Sequence, residues 1–442
     1  MWIDTDYNDE DEFTPQRKVS EYLNSLNLLR HTSETYLQGD DVAELVEERL
    51  RKLRERPPPG TQASWFIGPG GENIDCLEHF ISEVLTLHKE FRKNPVHVPF
   101  GENSDGYLQW LGTVNTKNST EYEKAMAVLG DRLDFLVKTM NEGCVPFHSF
   151  SYLSHMLWDN TLPGVLGWFV GLLYNQNNVA AEASPLTTAM EIDLGRQLCR
   201  LMQFPNTPPP VIFGESDDYH GTSDPGPIPW GKITCDGSVA NIESIWMARN
   251  FRFFSLALQS TLREHELLSN VRYHEDARVI ATGDKRSKRF FADLNSWEVV
   301  NLKSDEFFNF LDRIAQLLTP AGQSDNAKGH VLLHNLVDSY DLRALGLVEF
   351  TQRHPVLANM PRVVAPGTKH YSWPKGMTML GFGHNQLIDV SVGLDGRMDL
   401  NALDEEIEAL KEQRIPLLMA VSVHGTTTEG AIDPLALSLI HI

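Results

Sequence analysis

The sequence is poor in cysteine, in positive charge and in long apolar runs. Its four cysteines, Cys76, Cys144, Cys199 and Cys235, are scattered without a CxxC pair, which excludes a disulfide framework and fits reduced thiols. Cys235 reads as a small residue closing a strand, with no chemistry of its own. Against 60 acidic residues there are only 38 basic ones, a net charge of -22. Such a field repels nucleic acid and anionic membrane surfaces. The longest apolar run, VLGWFVGLLY at 165–174, falls well short of the ~20 residues that cross a bilayer. The first residues, MWIDTDYNDEDEF, are acidic where a secretory or organellar leader is basic, so a cytoplasmic location is expected. Neither GxGxxG nor GxxxxGK followed by Ser or Thr occurs, which counts against a nucleotide-binding protein. No metal site is expected.

What is present supports a large core: 41% of the 442 residues are hydrophobic, enough for one large α/β domain with an extension. Residues 1–60 read as an acidic tail, a charged helix at 42–56 (VAELVEERLRKLRER) and a Pro-rich linker that stops it. That helix suits either a surface position on its own subunit or an arm embracing a second copy. Residues 61–175 read as helical, with Leu77, Phe80, Ile81, Val84 and Leu85 on one helical face. Further helices are expected at 121–140 and 151–174, the latter broken at Pro163-Gly164, and at 186–203. His148 and His155 read as core histidines. After residue 361, RVVAP, QLIDVSV and the almost wholly apolar IPLLMAVSV read as strands alternating with helices that begin at Ser372 and Leu403. That alternation predicts a mostly parallel, doubly wound sheet covered on both faces.

The segment PWGKITCDGSVANIESIWMARN, at 229–250, reads as a short strand, a turn at Asp236-Gly237 and a helix opening at Ser238. Such a turn aims backbone N–H groups and a hydroxyl at one point, as a phosphate dianion requires. Its residues equally suit an ordinary helix capped by Ser238, with Ile242, Ile245 and Trp246 as a buried stripe. Taken alone, they leave both readings open.

Five segments in order carry a resemblance: WFIGPGGEN (65–73), NNVAAEASPLTTAMEIDLG (177–195), the 229–250 segment, KHYSWPKGMTMLGFG (369–383) and VHGTTTEGAIDPL (423–435). Together they resemble the group II pyridoxal-phosphate-dependent amino-acid decarboxylases, most closely the microbial tyrosine-decarboxylase type. The helix-rich stretch at about 251–360 is similar to an insertion of that subgroup. The resemblance implies the fold type I, aspartate aminotransferase-like architecture of PLP-dependent transferases, incomplete here. Its PLP-binding large domain would occupy 176–436, after the helical segment at 61–175. It further implies pyridoxal 5'-phosphate as cofactor, a small-molecule amino-acid substrate losing CO2, and a homodimer.

By the same resemblance, Gly237 and Ser238 hold the phosphate and Asn241 supports the turn or the phosphate. Asp236 belongs to that cofactor-binding turn and is expected to aim its carboxylate at backbone N–H groups, away from the dianion. His370 is the catalytic residue, stacking on the cofactor ring, and Thr426 joins the cofactor set at a strand end. Ser372 reads as a helix cap and Asp433 as a structural aspartate. Two family parts find no counterpart: the Schiff-base lysine and the aspartate that pairs with the pyridinium. The last lysine is Lys411, and Lys369 and Lys375 flank the histidine without matching the family position. LSLIHI, at 437–442, reads as a non-native tail. The chain given is therefore expected to be an inactive fragment of its parent. A decarboxylase for glutamate or another amino acid, and a non-catalytic relative acting as a binding or regulatory subunit, stay open as alternatives.

Overall fold

A computed structural model describes residues 61–93, 119–153, 157–179, 183–204, 229–281, 288–319 and 327–435. The tail and charged helix expected over 1–60, His155 and the segment from 437 onward lie outside the described residues. The chain divides into two compact units, Arg54–Asn177 and a second containing the described residues from Asn178 onward.

Among the described residues of the first unit are the helices α1 (Ile74–Lys93), α2 (Thr120–Gly143) and α3 (Leu162–Tyr174). α1 packs on α3 and turns Leu77, Ile81, Val84 and His88 away from solvent, a spacing that stays on one helical side. Phe80 and Leu85, expected on that face, are exposed. α3 begins where a break was expected. Thr161 caps it by accepting the Gly164 N–H at 3.2 Å, and Pro163 then falls in the first turn, where its missing N–H removes no helical bond. His148 is exposed and is not a core histidine.

The second unit is built around a 28-residue helix. After α4 (Pro185–Leu201) comes α5 (Gly237–Glu264), which buries Ile245, Phe253, Leu256, Leu258 and Leu262. Residues 251–264, expected to open a separate insertion, simply continue this helix. The rest of the stretch expected as an insertion contains a hairpin absent from the sequence reading, in which β1 (Arg278–Ile280) pairs antiparallel with β2 (Lys288–Phe290). Then follow α6 (Ser296–Val300), α7 (Ser304–Leu318), α8 (Ala327–Asp338) and α9 (Leu342–Arg353). Aromatic contacts join these helices to α5: the Phe253 and Phe350 rings stack at 5.2 Å.

The parallel sheet follows in the expected order: β3 (Arg362–Pro366), α10 (Ser372–Met379), β4 (Leu387–Val390), α11 (Leu400–Glu412) and β5 (Leu417–Ala420). Its strand order is β4-β3-β5, with both pairings parallel. Successive side chains of β3 point to opposite faces. Val363 and Ala365 join the core around α5, whereas Val364 joins a second core with Val390, Leu403, Ile407 and Leu410. Among the described residues the architecture is thus α/β, with a three-stranded parallel sheet covered on both faces. No helix among the described residues is long and apolar enough to cross a membrane.

Candidate functional site

The turn before α5 is held from two sides. Gly231 lies against Gly195 of α4 so closely that a Cβ on Gly195 would come within 2.0 Å of the Gly231 carbonyl oxygen. Only glycine fits there, and neither position carried a local sequence signal for this contact. Residues 229–234 run without strand pairing; the expected short strand has no ladder neighbour among the described residues. Thr234 then donates its hydroxyl to the Asp236 carbonyl at 2.7 Å.

Asp236 caps the helix in place of Ser238: its Oδ1 accepts the Val239 N–H at 2.7 Å. A carboxylate there satisfies one of the orphan donors and the positive end of the helix dipole. Gly237 and Ser238 consequently occupy the first helical positions, where N–H groups have no acceptor within the helix. A Cβ at Gly237 would meet nothing within 4 Å, so the space beside this residue is open. The described backbone therefore offers free donors and room for an anion, next to one fixed negative charge. Within the helix, Ile245 is buried as expected, but Trp246 is 46% exposed.

The second half of the site comes from α10 and the residues before it. α10 packs on α5 at Gly376, where a Cβ would stand 2.9 Å from Ile245 Cδ1 and 3.3 Å from Ile242 Cγ1. Arg249 adds a tie, donating from Nη1 to the Leu380 carbonyl at 3.1 Å. Ser372 does not cap α10; it is the first helical residue and makes no side-chain cap. Its hydroxyl, on a residue only 2% exposed, bridges two segments instead. Asn241 Nδ2 donates to Ser372 Oγ at 2.8 Å, and Ser372 Oγ lies 2.8 Å from His370 Nδ1. The Ser372 N–H also donates to His370 Nδ1, at 3.3 Å. The structure thus brings Asn241, Ser372 and His370 into one hydrogen-bonded chain, although Asn241 and Ser372 are 131 residues apart in sequence. Sequence reasoning missed this bridge; a serine two residues after the histidine was its only visible trace.

Thr426 is not brought into that chain. It donates to Glu429 Oε2 at 3.0 Å and accepts the Ala431 N–H at 2.9 Å, closing its own turn. Its hydroxyl proton is engaged within that turn. Asp433 is 3% exposed and accepts the N–H groups of Met398 and Val423, both at 2.7 Å, the role of a structural aspartate. Lys369 pairs with Asp389, and the Lys375 ammonium stands 4.6 Å from the centre of the Tyr371 ring. Among the described residues no cluster of His, Cys, Asp and Glu is arranged to hold a metal ion.

No family model matches the chain. The L-tyrosine decarboxylase of Enterococcus faecalis (strain ATCC 700802 / V583) is 26% identical over 371 residues, covering 83% of this chain and 46% of the relative. That of Levilactobacillus brevis is 27% identical over 369 residues, again 83% of this chain and 46% of the relative. The chain thus spans about half the length of the curated relatives it matches. A solved glutamate decarboxylase domain of diaminobutyrate-pyruvate transaminase and L-2,4-diaminobutyrate decarboxylase from Vibrio parahaemolyticus shares 30% identity over 21% of each chain, with a TM-score of 0.19. The resemblance read from the five motifs is supported: over 83% of its length this chain is similar to L-tyrosine decarboxylases, at 26–27% identity.

Proposed function

We propose that this chain anchors pyridoxal 5'-phosphate at the Gly237-Ser238 turn, as part of a carboxy-lyase that converts an L-amino acid, aromatic and tyrosine-like, into its amine and CO2. The observation that carries the reading is the hydrogen-bonded chain joining α5, which begins at that turn, to His370. Packing of α10 on α5 thereby ties an imidazole from a distant motif to the helix that opens at the phosphate-type turn, as a ligand meeting both would require.

The donor chemistry fits the cofactor's anionic end. Gly237 and Ser238 would bind the phosphate through two N–H groups and a hydroxyl, with Asp236 holding the turn as its cap. His370 would cover the ring face and donate to the substrate carboxylate. When bound, the cofactor supplies an electron sink for the pair left behind by departing CO2. The chain's own residues bind and orient. A lysine to carry the cofactor and a carboxylate for its ring nitrogen have no free candidate among Lys369, Lys375 and Asp433, whose partners are given above. These 442 residues alone are therefore expected to bind without turnover. The fold type I assignment, the homodimer and the cytoplasmic location belong to the same proposal, as do the boundaries of a large domain at 176–436.

Calorimetric titration of the chain with inorganic phosphate and with pyridoxal phosphate tests the anchor. Ser238→Ala removes one charge-assisted hydrogen bond and is expected to weaken both ligands by about tenfold. His370→Ala should weaken pyridoxal phosphate while sparing inorganic phosphate. Binding that is indifferent to Ser238 would sink the assignment. Amine release from tyrosine, DOPA, tryptophan and glutamate, assayed on the full gene product, decides the substrate.

A further inference from the structure

We propose that Ser372 and Asn241 are positioning residues that set the tautomer of His370, fixing its proton on Nε2. The inference deepens the functional reading and rests on it only for what that Nε2–H would meet.

The direction of the hydrogen-bonded chain decides the tautomer. An amide nitrogen is a donor only, so Asn241 Nδ2 gives its hydrogen to Ser372 Oγ. Ser372 is buried, and its single hydroxyl proton needs an acceptor that solvent does not supply. The atom within reach is His370 Nδ1, at 2.8 Å. The Ser372 backbone N–H points at the same nitrogen. A ring nitrogen faced by two donors is the unprotonated one, and the neutral imidazole then carries its proton on Nε2.

The consequence falls on the other side of the ring. With Nε2 protonated, His370 presents a donor to a carboxylate or another anionic group; with the opposite tautomer it would present a lone pair and repel it. Asn241 acts through Ser372 by occupying the hydroxyl's lone pair, which leaves the proton turned toward the ring. Asn241 is thereby given a role distinct from contact with phosphate. The reach across 131 residues also means that the tautomer is set only when α10 is seated on α5.

The test reads nitrogen-15 shifts of the chain labelled at histidine, without cofactor, so that its outcome does not depend on pyridoxal-phosphate binding. There are 16 histidines, and His370→Gln assigns the signal by difference. The wild-type chain is expected to show a pyridine-type Nδ1 and a protonated Nε2. Ser372→Ala should move the tautomer ratio about fivefold toward Nδ1–H, the effect of one lost hydrogen bond, and Ser372→Thr should restore it. Asn241→Asp turns the donor into an acceptor, takes the hydroxyl proton for itself and should favour Nδ1–H outright. A protonated Nδ1 in the wild-type chain overturns the proposal. So does a ratio unmoved by both Ser372→Ala and Asn241→Asp in variants whose melting matches the wild type. Failure of pyridoxal phosphate to bind at Ser238 would refute the functional reading and leave the tautomer result standing.

Discussion

Replacing Gly195 with alanine puts a methyl group where the structure has a backbone carbonyl. The new Cβ would lie 2.0 Å from the Gly231 oxygen, well inside the 3.4 Å at which ordinary contact begins. Because the obstacle is backbone, the relief has to come from moving α4 away from residues 229–234. Two terms oppose each other. Alanine in a helix interior is favoured over glycine by about 1 kcal/mol, whereas forcing a group into a packed site costs about 1–3 kcal/mol and sometimes more. The clash with immobile backbone belongs at the upper end of that range, so Gly195→Ala is expected to destabilise by about 2 kcal/mol net. Gly171, in α3, is a matched control, since a Cβ there would meet nothing within 4 Å. Gly171→Ala should stabilise its unit by about 0.4–1 kcal/mol. Urea denaturation followed by tryptophan fluorescence measures both variants. The displacement also reaches the turn five residues after Gly231, so Gly195→Ala should weaken inorganic phosphate as well. A Gly195→Ala protein as stable as the wild type, or stabilised like Gly171→Ala, would refute the close approach and the reasoning built on it.

Asp236→Asn keeps an N-cap side chain but removes a negative charge from the phosphate turn; calorimetry should find tighter phosphate with stability changed by only tenths of a kcal/mol, whereas Asp236→Ala loses about 1 kcal/mol of helix capping. Asp433→Ala strands the N–H groups of Met398 and Val423, at a cost of about 2–4 kcal/mol in urea denaturation; Asp433→Asn, which keeps one acceptor, should lose roughly half as much. Burial pushes the His354 imidazole down to about 4, with Arg353 and Arg263 adding to the effect. The unfolded chain takes up that proton near pH 6.5, so stability is complete above about pH 6.5 and falls as pH drops from there toward 4. Melting temperatures of His354→Leu across that window should decline less steeply than those of the wild type; parallel slopes would remove His354 as the cause.

The parts of this fold that were legible in the sequence are those with a local signature. RVVAP, QLIDVSV and IPLLMAVSV are runs of apolar residues too short for helices, and each contributes a parallel strand, β3, β4 and β5. β3 matches its run in full, whereas β4 and β5 are shorter than theirs; at the start of the last run, Pro416 has no N–H to give a ladder. The helix cap falls two residues before the expected one. Ser238 and Asp236 are both good caps, and the choice between them depends on which side chain reaches the Val239 N–H, a matter of backbone angle that composition does not encode. The β1-β2 hairpin has three residues per strand, too few for an alternating pattern to stand out. Thr426 sits at a strand end where ligands commonly bind, yet its hydroxyl closes a turn with Glu429 and Ala431, and that competition is invisible without coordinates. The motif residues His370 and Gly237 could be named from resemblance; their connection could not.

That connection explains why glycine stands at three separate places in the motifs. Gly195 and Gly231 let α4 and the approach to the turn touch backbone to backbone, and Gly376 lets α10 settle on Ile242 and Ile245 of α5. Each removes a side chain from an interface that must be close for the next element to be placed: the first sets where the turn begins, the last sets where His370 stands relative to Asn241. Hydrogen bonds alone would not achieve this, because at about 1 kcal/mol each the Asn241–Ser372–His370 links are too weak to pull two helices together against poor packing. The packing brings the groups within reach, and the polar chain then selects one orientation of the ring. A bulkier residue at Gly376 should therefore disturb the His370 tautomer even though it touches none of the three polar groups. If Gly376→Val left the His370 nitrogen shifts as they are in the wild-type chain, the ring would have to be held by its own loop, and the seating of α10 on α5 would lose its place in the argument.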